Sequence, residues 1–464
     1  MSPTTGTQQT RLSRVVHHSA LVLLLQVALL TCAVSNNFLV AHVVGPEGKG
    51  ILYVLQLACN GLGLPALHFC FGFAAIYYLG QDRKYSAGEI ASGMFLPSIA
   101  LGLVPAVACF LLWPWARAWL MQGLRPIYFW IALLAIPLAI TNFNVAQFSL
   151  GRHRVGRYNL LSMGPSALLT TFLFVLIAFH RTSVRSLVFI WFASIAIPGI
   201  CAAGIAIVES KGRLLPRPEF LRKVFEFGWR SHLGGITQQL QHRAPILLVG
   251  YFLPIAQLGI YSLAVSLAEL LWYIPNAIST VLMPHIASST EEEARRGTPT
   301  FCRVAVGVTF VLAIVLSIVT AIVVPWLLPA FVSCLRPFYI LMPGIVLATV
   351  FKVLASDFNG RGQPLKTFSP ACAALVIELI AGVFFIPRGG LVAAAGITTA
   401  GYALNSLLYG WSYRRLTGIR LPELIIIKPQ DLIRMRSAAR GVWTSITTSA
   451  SVAPQAKLGQ ATLD

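Results

Sequence analysis

This chain has little acid. Its 464 residues include 15 Asp and Glu against 35 Lys and Arg, and all four charged types together make up only 11%. Soluble domains carry about 25% charged residues, so the composition excludes a large water-facing surface and defines a membrane class. Metal-binding patterns are also missing. The eight cysteines, from Cys32 to Cys372, form no Cys-x-x-Cys, and His42, His68, His180, His232 and His285 are scattered. Neither a metal, a structural disulfide nor any other cofactor is expected. There is no P-loop and no Gly-x-Ser-x-Gly elbow, and no strand-type alternation that would support a β-barrel. No loop is long enough to fold as a soluble catalytic domain, so the chain reads as a non-enzyme.

Apolar segments are abundant. A bilayer-spanning helix needs about 20 mainly apolar residues. Twelve segments qualify: 20–44, 50–79, 90–112, 126–149, 160–180, 187–208, 233–253, 257–287, 300–329, 336–358, 367–387 and 391–413. Short polar or Gly/Pro stretches separate them, among them "GPEGKG", "GQDRKYSAGE", "GRHRVGRYN", "SSTEEEARRG" and "GRGQPLK". "GPEGKG" reads as a turn in which glycine supplies permissive backbone angles. Arg11, Arg14, His17 and His18 before the first segment resemble a signal-peptide n-region. The long apolar stretch, the poor cleavage site "SNN" and the later segments argue for retention.

The positive excess follows the loops. With the N-terminus in the cytoplasm, 26 Lys and Arg fall in cytoplasmic segments, seven in external ones, and Arg243 and Lys352 lie inside spans. This bias predicts both termini inside and an even number of spans. The +20 charge then faces anionic headgroups rather than nucleic acid. Membrane lipids are expected partners, and nucleic acid is not.

The chain repeats itself. "GKGILY" and "QLGIYS" place Gly50 and Gly259 209 residues apart, and "GRHRVGRYN" and "GRGQPLKTF" place Gly151 and Gly360 at the same offset. Six spans fit one period, so the second copy enters from the same side, as a parallel repeat. The predicted fold is an all-α integral membrane protein of twelve helices, in two six-helix lobes (1–208 and 233–413) around a central cavity. The linker, 209–232, places Leu221, Val224, Phe225 and Trp229 at helical spacing among basic residues. That suits an amphipathic helix on the inner leaflet. The tail, 414–464, ends in Ser, Thr, Ala and Gln and is expected to be partly disordered.

Three stretches carry a family resemblance. "VGYFLPIAQLGIYSLAVSLAELLWYIPNAISTVLMPHIA" resembles the region of the seventh and eighth helices of the polysaccharide (oligosaccharidyl-lipid) flippases. Their superfamily also holds the MATE drug antiporters and the lipid II flippases. "VVGPEGKGILYVLQLA" is similar to that family's turn between its first two helices, and "GRGQPLKTFSPACAALVIELIAGVFFIPRGGLVAAAGITTAGYAL" to its last three helices. The resemblance implies a two-lobed bacterial inner-membrane transporter. Its cargo would be an undecaprenyl-pyrophosphate-linked oligosaccharide, flipped from inner to outer leaflet by alternating access, with other polysaccharide-assembly proteins as further partners. Many relatives read Arg-x-Asp in the seventh helix. Here the stretch is "HRAP", with Pro245 at the acid's position, so the role of that acid is not carried over.

Charges inside spans need a polar lumen or a partner, because one at a helix centre costs about 2.5–3.5 kcal/mol on insertion scales. Arg243, Glu269 and Glu378 lie roughly 15–18 Å into their segments at 1.5 Å per residue, near the midplane. Lys352 and Asp357 fall in the inner half of the tenth. Gln239, His242 and Arg243 share one helical face, with Gln238 and Gln241 beside it. Two readings stand for Arg243. Its guanidinium binds the carrier's pyrophosphate, aided by Gln238, Gln239 and His242, or it pairs with Glu269 or Glu378 to fasten the lobes. Glu269, Glu378 and Asp357 are candidate counter-ions or ion-coupling groups. Lys352 is a second candidate phosphate contact or a snorkelling side chain. Asn36 and Asn37, with Asn142, Asn144 and Gln147, either bond neighbouring helices or line a polar lumen.

Two other functions fit parts of this pattern. A MATE-type drug or cation antiporter shares the fold but uses a compact acidic site in its first half, where this chain has no midplane Asp or Glu. A polyprenyl-glycan polymerase or ligase needs a large external loop, and the loops here are short.

Overall fold

The computed structural model describes residues 5–69, 71–80, 85–111, 124–180, 182–211, 215, 217–363 and 365–431. Among these the regular structure is helical throughout, with no strand. The longer helices are α1 (Thr5–Gln56), α2 (Phe71–Gly80), α3 (Ala87–Leu111), α4 (Pro126–Gly151), α5 (Val155–Ala178), α6 (Val184–Glu209) and α7 (Pro218–Phe252). They continue as α8 (Ile255–Glu269), α9 (Tyr273–Ser288), α10 (Glu291–Leu327), α11 (Leu335–Gly360), α12 (Leu365–Thr417) and the short α13 (Leu421–Ile425). The predicted disordered end of the tail lies outside the described residues.

Nine helical segments among the described residues are long and apolar enough to cross a membrane, where twelve were expected. The difference has identifiable causes. α1 is broken by Gly45 (φ 64°) and α12 by Gly390 (φ 57°), so each holds two straight pieces. Both angles lie in the left-handed region that favours glycine. The piece of α1 after Gly45 is called α1b; the pieces of α12 before and after Gly390 are α12a and α12b. α7 is absent from the nine because its glutamines, His242 and Arg243 lower its hydropathy. It also joins two segments that the sequence reading kept apart. The amphipathic linker runs into the seventh span as one helix from Pro218 to Phe252, and Pro245 does not break it.

The 209-residue period is written in the backbone. α11 (Leu335–Gly360) repeats α4 (Pro126–Gly151) with both ends displaced by that interval. Irregular turns recur at matching places: a π-helical segment (Leu57–Gly63) follows α1b, and a 3-10 turn (Leu270–Trp272) follows α8. Most telling is a reciprocal contact. A Cβ on Gly50 would lie 2.0 Å from the Ile255 carbonyl oxygen, and a Cβ on Gly259 would lie 1.9 Å from that of Pro46. Pro46 and Ile255 are themselves one period apart. α1b and α8 therefore meet backbone to backbone about a local two-fold relation, and only glycine fits at either position.

The chain folds into two compact units. The first holds residues up to Leu270, Ile318–Met342 and Phe368–Gly401. One core surrounds α4, where Phe129, Ile136 and Ile140 pack with Leu52 and Leu55 of α1b, Leu173 of α5 and Trp191 of α6. Two buried asparagines of α4 tie it to neighbouring helices. Asn142 Nδ2 donates to Leu161 O (3.0 Å), while Asn144 donates to Ser98 Oγ (2.9 Å) and accepts from Gly72 N (3.0 Å). The start of α7 is held here by Phe220 and Val224, buried among Phe71, Ile90 and Met94, and by an Arg217–Glu89 ion pair (2.9 Å).

The second unit holds Leu271–Ser317, Pro343–Thr367 and the chain from Tyr402 onward. Tyr402, Tyr409 and Tyr413 of α12b line up against Phe351 and Phe358 of α11. Arg303 of α10 clamps the end of the described tail: Nε and Nη2 grip both oxygens of Asp431 (2.6 and 3.0 Å), and Nη1 donates to Glu423 O (2.9 Å).

Candidate functional site

α7 carries the polar face, and Gln239, Gln241 and Arg243 reach four partners within the first unit. Arg243 Nη1 donates to Glu269 Oε1 (3.0 Å) and to the Tyr53 hydroxyl (3.3 Å). Glu269 ends α8, and Tyr53 belongs to α1b. The Arg243 and Glu269 side chains keep about a fifth of their surface exposed, 20% and 21%, so the pair sits at the edge of a packed region rather than deep inside it. Gln239 Nε2 donates to Gly61 O (3.2 Å). That carbonyl belongs to the π-helical segment, whose widened turns loosen the regular hydrogen-bond ladder. Gln241 Nε2 reaches Glu378 Oε1 of α12a (3.4 Å). His242 is buried and Gln238 half-buried.

The remaining candidates are placed elsewhere. Asn36 ties α1 to α5, donating to Ser166 O (3.2 Å) and accepting from the Thr170 hydroxyl (2.9 Å). Asn37 accepts from Lys49 Nζ (2.6 Å). Lys49, the lysine of the "GPEGKG" stretch that reads as a turn, is instead buried in α1b at 3% exposure. In the second unit, Lys352 Nζ lies 4.1 Å from the centroid of the Trp272 ring, a cation–π contact. Asp357 is fully buried, accepting from Thr298 Oγ1 (2.6 Å) and from Arg361 Nε one turn on (2.6 Å). Arg361 also pairs with Glu291. No group of three or more metal-ligating side chains occurs among the described residues.

Two features of the site escaped sequence reasoning. Tyr53 is a plain aromatic in an apolar run, and nothing marks it until α1b is seen against α7. The Gln241–Glu378 contact joins residues 137 positions apart, beyond the reach of any spacing rule. The charges also break the repeat. One period before Arg243 stands Val34, and one period before Glu269 stands Asn60. The backbone is duplicated; the ion pair belongs to the second copy alone.

This fold is shared with transporters of known structure. An inward-facing multidrug resistance MATE family transporter of the MOP superfamily aligns with a TM-score of 0.69 at 15% identity, over 84% of this chain and 94% of that one. Lipid II flippase MurJ, in an inward closed conformation, aligns with a TM-score of 0.65 at 11% identity, over 93% and 99%. A MOP superfamily transporter from Pyrococcus furiosus gives 0.54 at 13% identity, over 85% and 93%. The chain thus has the fold of MOP-superfamily membrane transporters. Residues 71–330 match the sequence model of the family described as polysaccharide biosynthesis protein, more than half of the chain, and the chain belongs to that family. No curated protein matches it.

Proposed function

We propose that this protein is a flippase for a lipid-linked oligosaccharide, moving an undecaprenyl-pyrophosphate-linked repeat unit from inner to outer leaflet for polysaccharide assembly. The observation that carries the reading is a guanidinium that keeps about a fifth of its surface exposed, 20%, on the polar face of a spanning helix, in a chain of the polysaccharide biosynthesis family with a flippase-like fold. A diphosphate crossing the low-dielectric centre of a bilayer needs a fixed cation to offset its desolvation. Guanidinium meets phosphate bidentately and stays charged in such surroundings. Glu269 holds Arg243 in the absence of cargo, and the diphosphate takes its place.

On this reading the two repeats, 1–208 and 233–413, act as the lobes of an alternating-access transporter in the inner membrane, with both termini and the 209–232 linker in the cytoplasm. The Gly50–Gly259 contact then lies on the external side and closes it. The cargo is moved without covalent change, so the protein is a transporter and no enzyme. Its partners are the lipid-linked oligosaccharide, membrane lipids and other polysaccharide-assembly proteins.

A strain lacking the gene tests this. Lipid-linked oligosaccharide accumulating on the cytoplasmic face, with rescue by the wild-type gene and not by Arg243→Ala, supports it. Drug sensitivity without such accumulation would replace the flippase by an antiporter.

A further inference from the structure

Glu378 is a carboxyl group in a place where a carboxylate is hard to keep. It lies 13 residues into α12a, roughly 20 Å along the axis at 1.5 Å per residue, and is 1% exposed. Its neighbours on the opposite face, Ile377, Ile380 and Phe384, are all more than half exposed, as lipid-facing side chains are. Oε1 accepts one long hydrogen bond from Gln241 Nε2 of α7 (3.4 Å). Oε2 is buried and has no hydrogen-bond partner among the described residues, and Glu378 takes part in no ion pair there. The carboxyl lies flat on Gly401 of α12b, so close that any Cβ at that position would overlap its atoms.

Titratable and charged groups face this seam from two neighbouring helices. From α8, Tyr261 is within electrostatic reach of Glu378, and its hydroxyl bonds Thr398 Oγ1 of α12b (3.0 Å), one turn before Gly401. From α7, Gln241 is followed by His242 and then by Arg243, whose charge is engaged by Glu269 and, as a hydrogen bond, by Tyr53 of α1b. Among the described residues no Lys or Arg pairs with Glu378.

An ionised carboxylate with one weak donor, no counter-ion and no water-facing surface is strongly disfavoured, whereas a protonated one fits the seam as it stands. We propose that Glu378 is a proton-binding site, protonated at neutral pH in this packing of α7, α12a and α12b. Release of the proton requires the seam to open, because the charge left on the carboxylate has no partner inside it. Proton binding then favours the packed arrangement and proton loss the opened one. Through Gln241, two residues before Arg243, the same helix joins the proton site to the guanidinium. The inference goes beyond the flippase reading, and its test contains no glycan.

Infrared difference spectroscopy on the purified protein in liposomes, with the pH stepped upward, reads the group directly. Wild type is expected to show the C=O stretch of a protonated carboxylic acid at neutral pH, which disappears on alkalinisation. Glu378→Gln should remove this band, while Glu269→Gln should keep it. Gly401→Ala, which pushes the carboxyl off its seat, should shift the band or move its loss to lower pH. Should Glu378→Gln fail to insert, Glu378→Asp retains the acid on a shorter arm and should displace the band rather than abolish it. No protonated-carboxyl band in wild type at neutral pH, or the same band in Glu378→Gln, would overturn the proposal. If the band behaves as expected and glycan export proves unrelated to this protein, the proton site stands and the flippase reading falls.

Discussion

Gly50→Ala is the sharpest single perturbation the structure offers. The new methyl carbon would sit 2.0 Å from Ile255 O, 3.0 Å from its carbonyl carbon and 3.1 Å from Gly259 N. All three are backbone atoms, so no side chain can swing aside. Restoring an ordinary separation of about 3.4 Å means moving α1b and α8 apart by roughly 1.4 Å. Overpacking of a rigid contact costs typically about 1–3 kcal/mol, and a backbone-to-backbone clash belongs at the upper end. At about 1.4 kcal/mol per factor of ten, roughly 3 kcal/mol is a hundredfold shift away from this packing. Spin labels on Glu47→Cys and Gln257→Cys, read by pulsed electron-electron resonance, would report it as a longer and broader distance distribution. Gly259→Ala should act alike, since its Cβ would lie 1.9 Å from Pro46 O. Gly204→Ala is the control, because nothing lies within 4 Å of its Cβ position, and it should change nothing. Unchanged distances and unaltered thermal stability in Gly50→Ala would refute the close approach of the two helices.

Three further predictions concern other groups. Asp357→Asn leaves Arg361 without its buried partner, and breaking such a pair costs about 3–5 kcal/mol, so the detergent-solubilised protein should melt earlier; an unchanged melting temperature would deny that the pair is buried. Asn144→Leu strands Gly72 N, at about 1–3 kcal/mol for a buried group left unsatisfied, while Ser98 Oγ keeps its bond to Met94 O; the melting temperature should fall in the same thermal assay, and an unchanged one would deny the contact. Cysteine labelling in a cysteine-free background checks orientation: Arg217→Cys should react only from the cytoplasmic side and Glu47→Cys only from outside, and the reverse pattern would invert the assignment of faces.

Much of the fold is legible because lipid imposes one rule on every spanning segment: all backbone groups must be satisfied within the segment. That rule makes long apolar runs readable as helices, and it makes Gly45 and Gly390 readable as breaks. The repeat was legible at Gly50 and Gly259 for a physical reason too, since a contact that admits no side chain leaves glycine in both copies. The irregular turns were not legible. The π-helical segment 57–63 and the 3-10 turn at Leu270–Trp272 sit in runs whose composition matches their helical neighbours. Among the site residues, Glu269 was within reach of reasoning as Arg243's partner, because a short break joins their two helices. Tyr53, the Gln241–Glu378 contact and the burial of Lys49 depend on packing between distant parts of the chain. No local pattern encodes these.

The central claim is that Arg243 serves the diphosphate of a lipid-linked glycan, and translocation by the purified protein tests it most directly. Liposomes carrying the protein and undecaprenyl-pyrophosphate-linked oligosaccharide in the outer leaflet would be sampled with a membrane-impermeant glycosidase. Wild type should move glycan out of the enzyme's reach. Arg243→Ala and Arg243→Gln should not, and Arg243→Lys should do so in part, since charge survives but the bidentate fork is lost. The double variant Arg243→Ala with Glu269→Ala removes both members of the pair, leaving neither unpaired, and should remain inactive. Full translocation by that double variant would show that Arg243 is there only to hold Glu269, and would contradict the account.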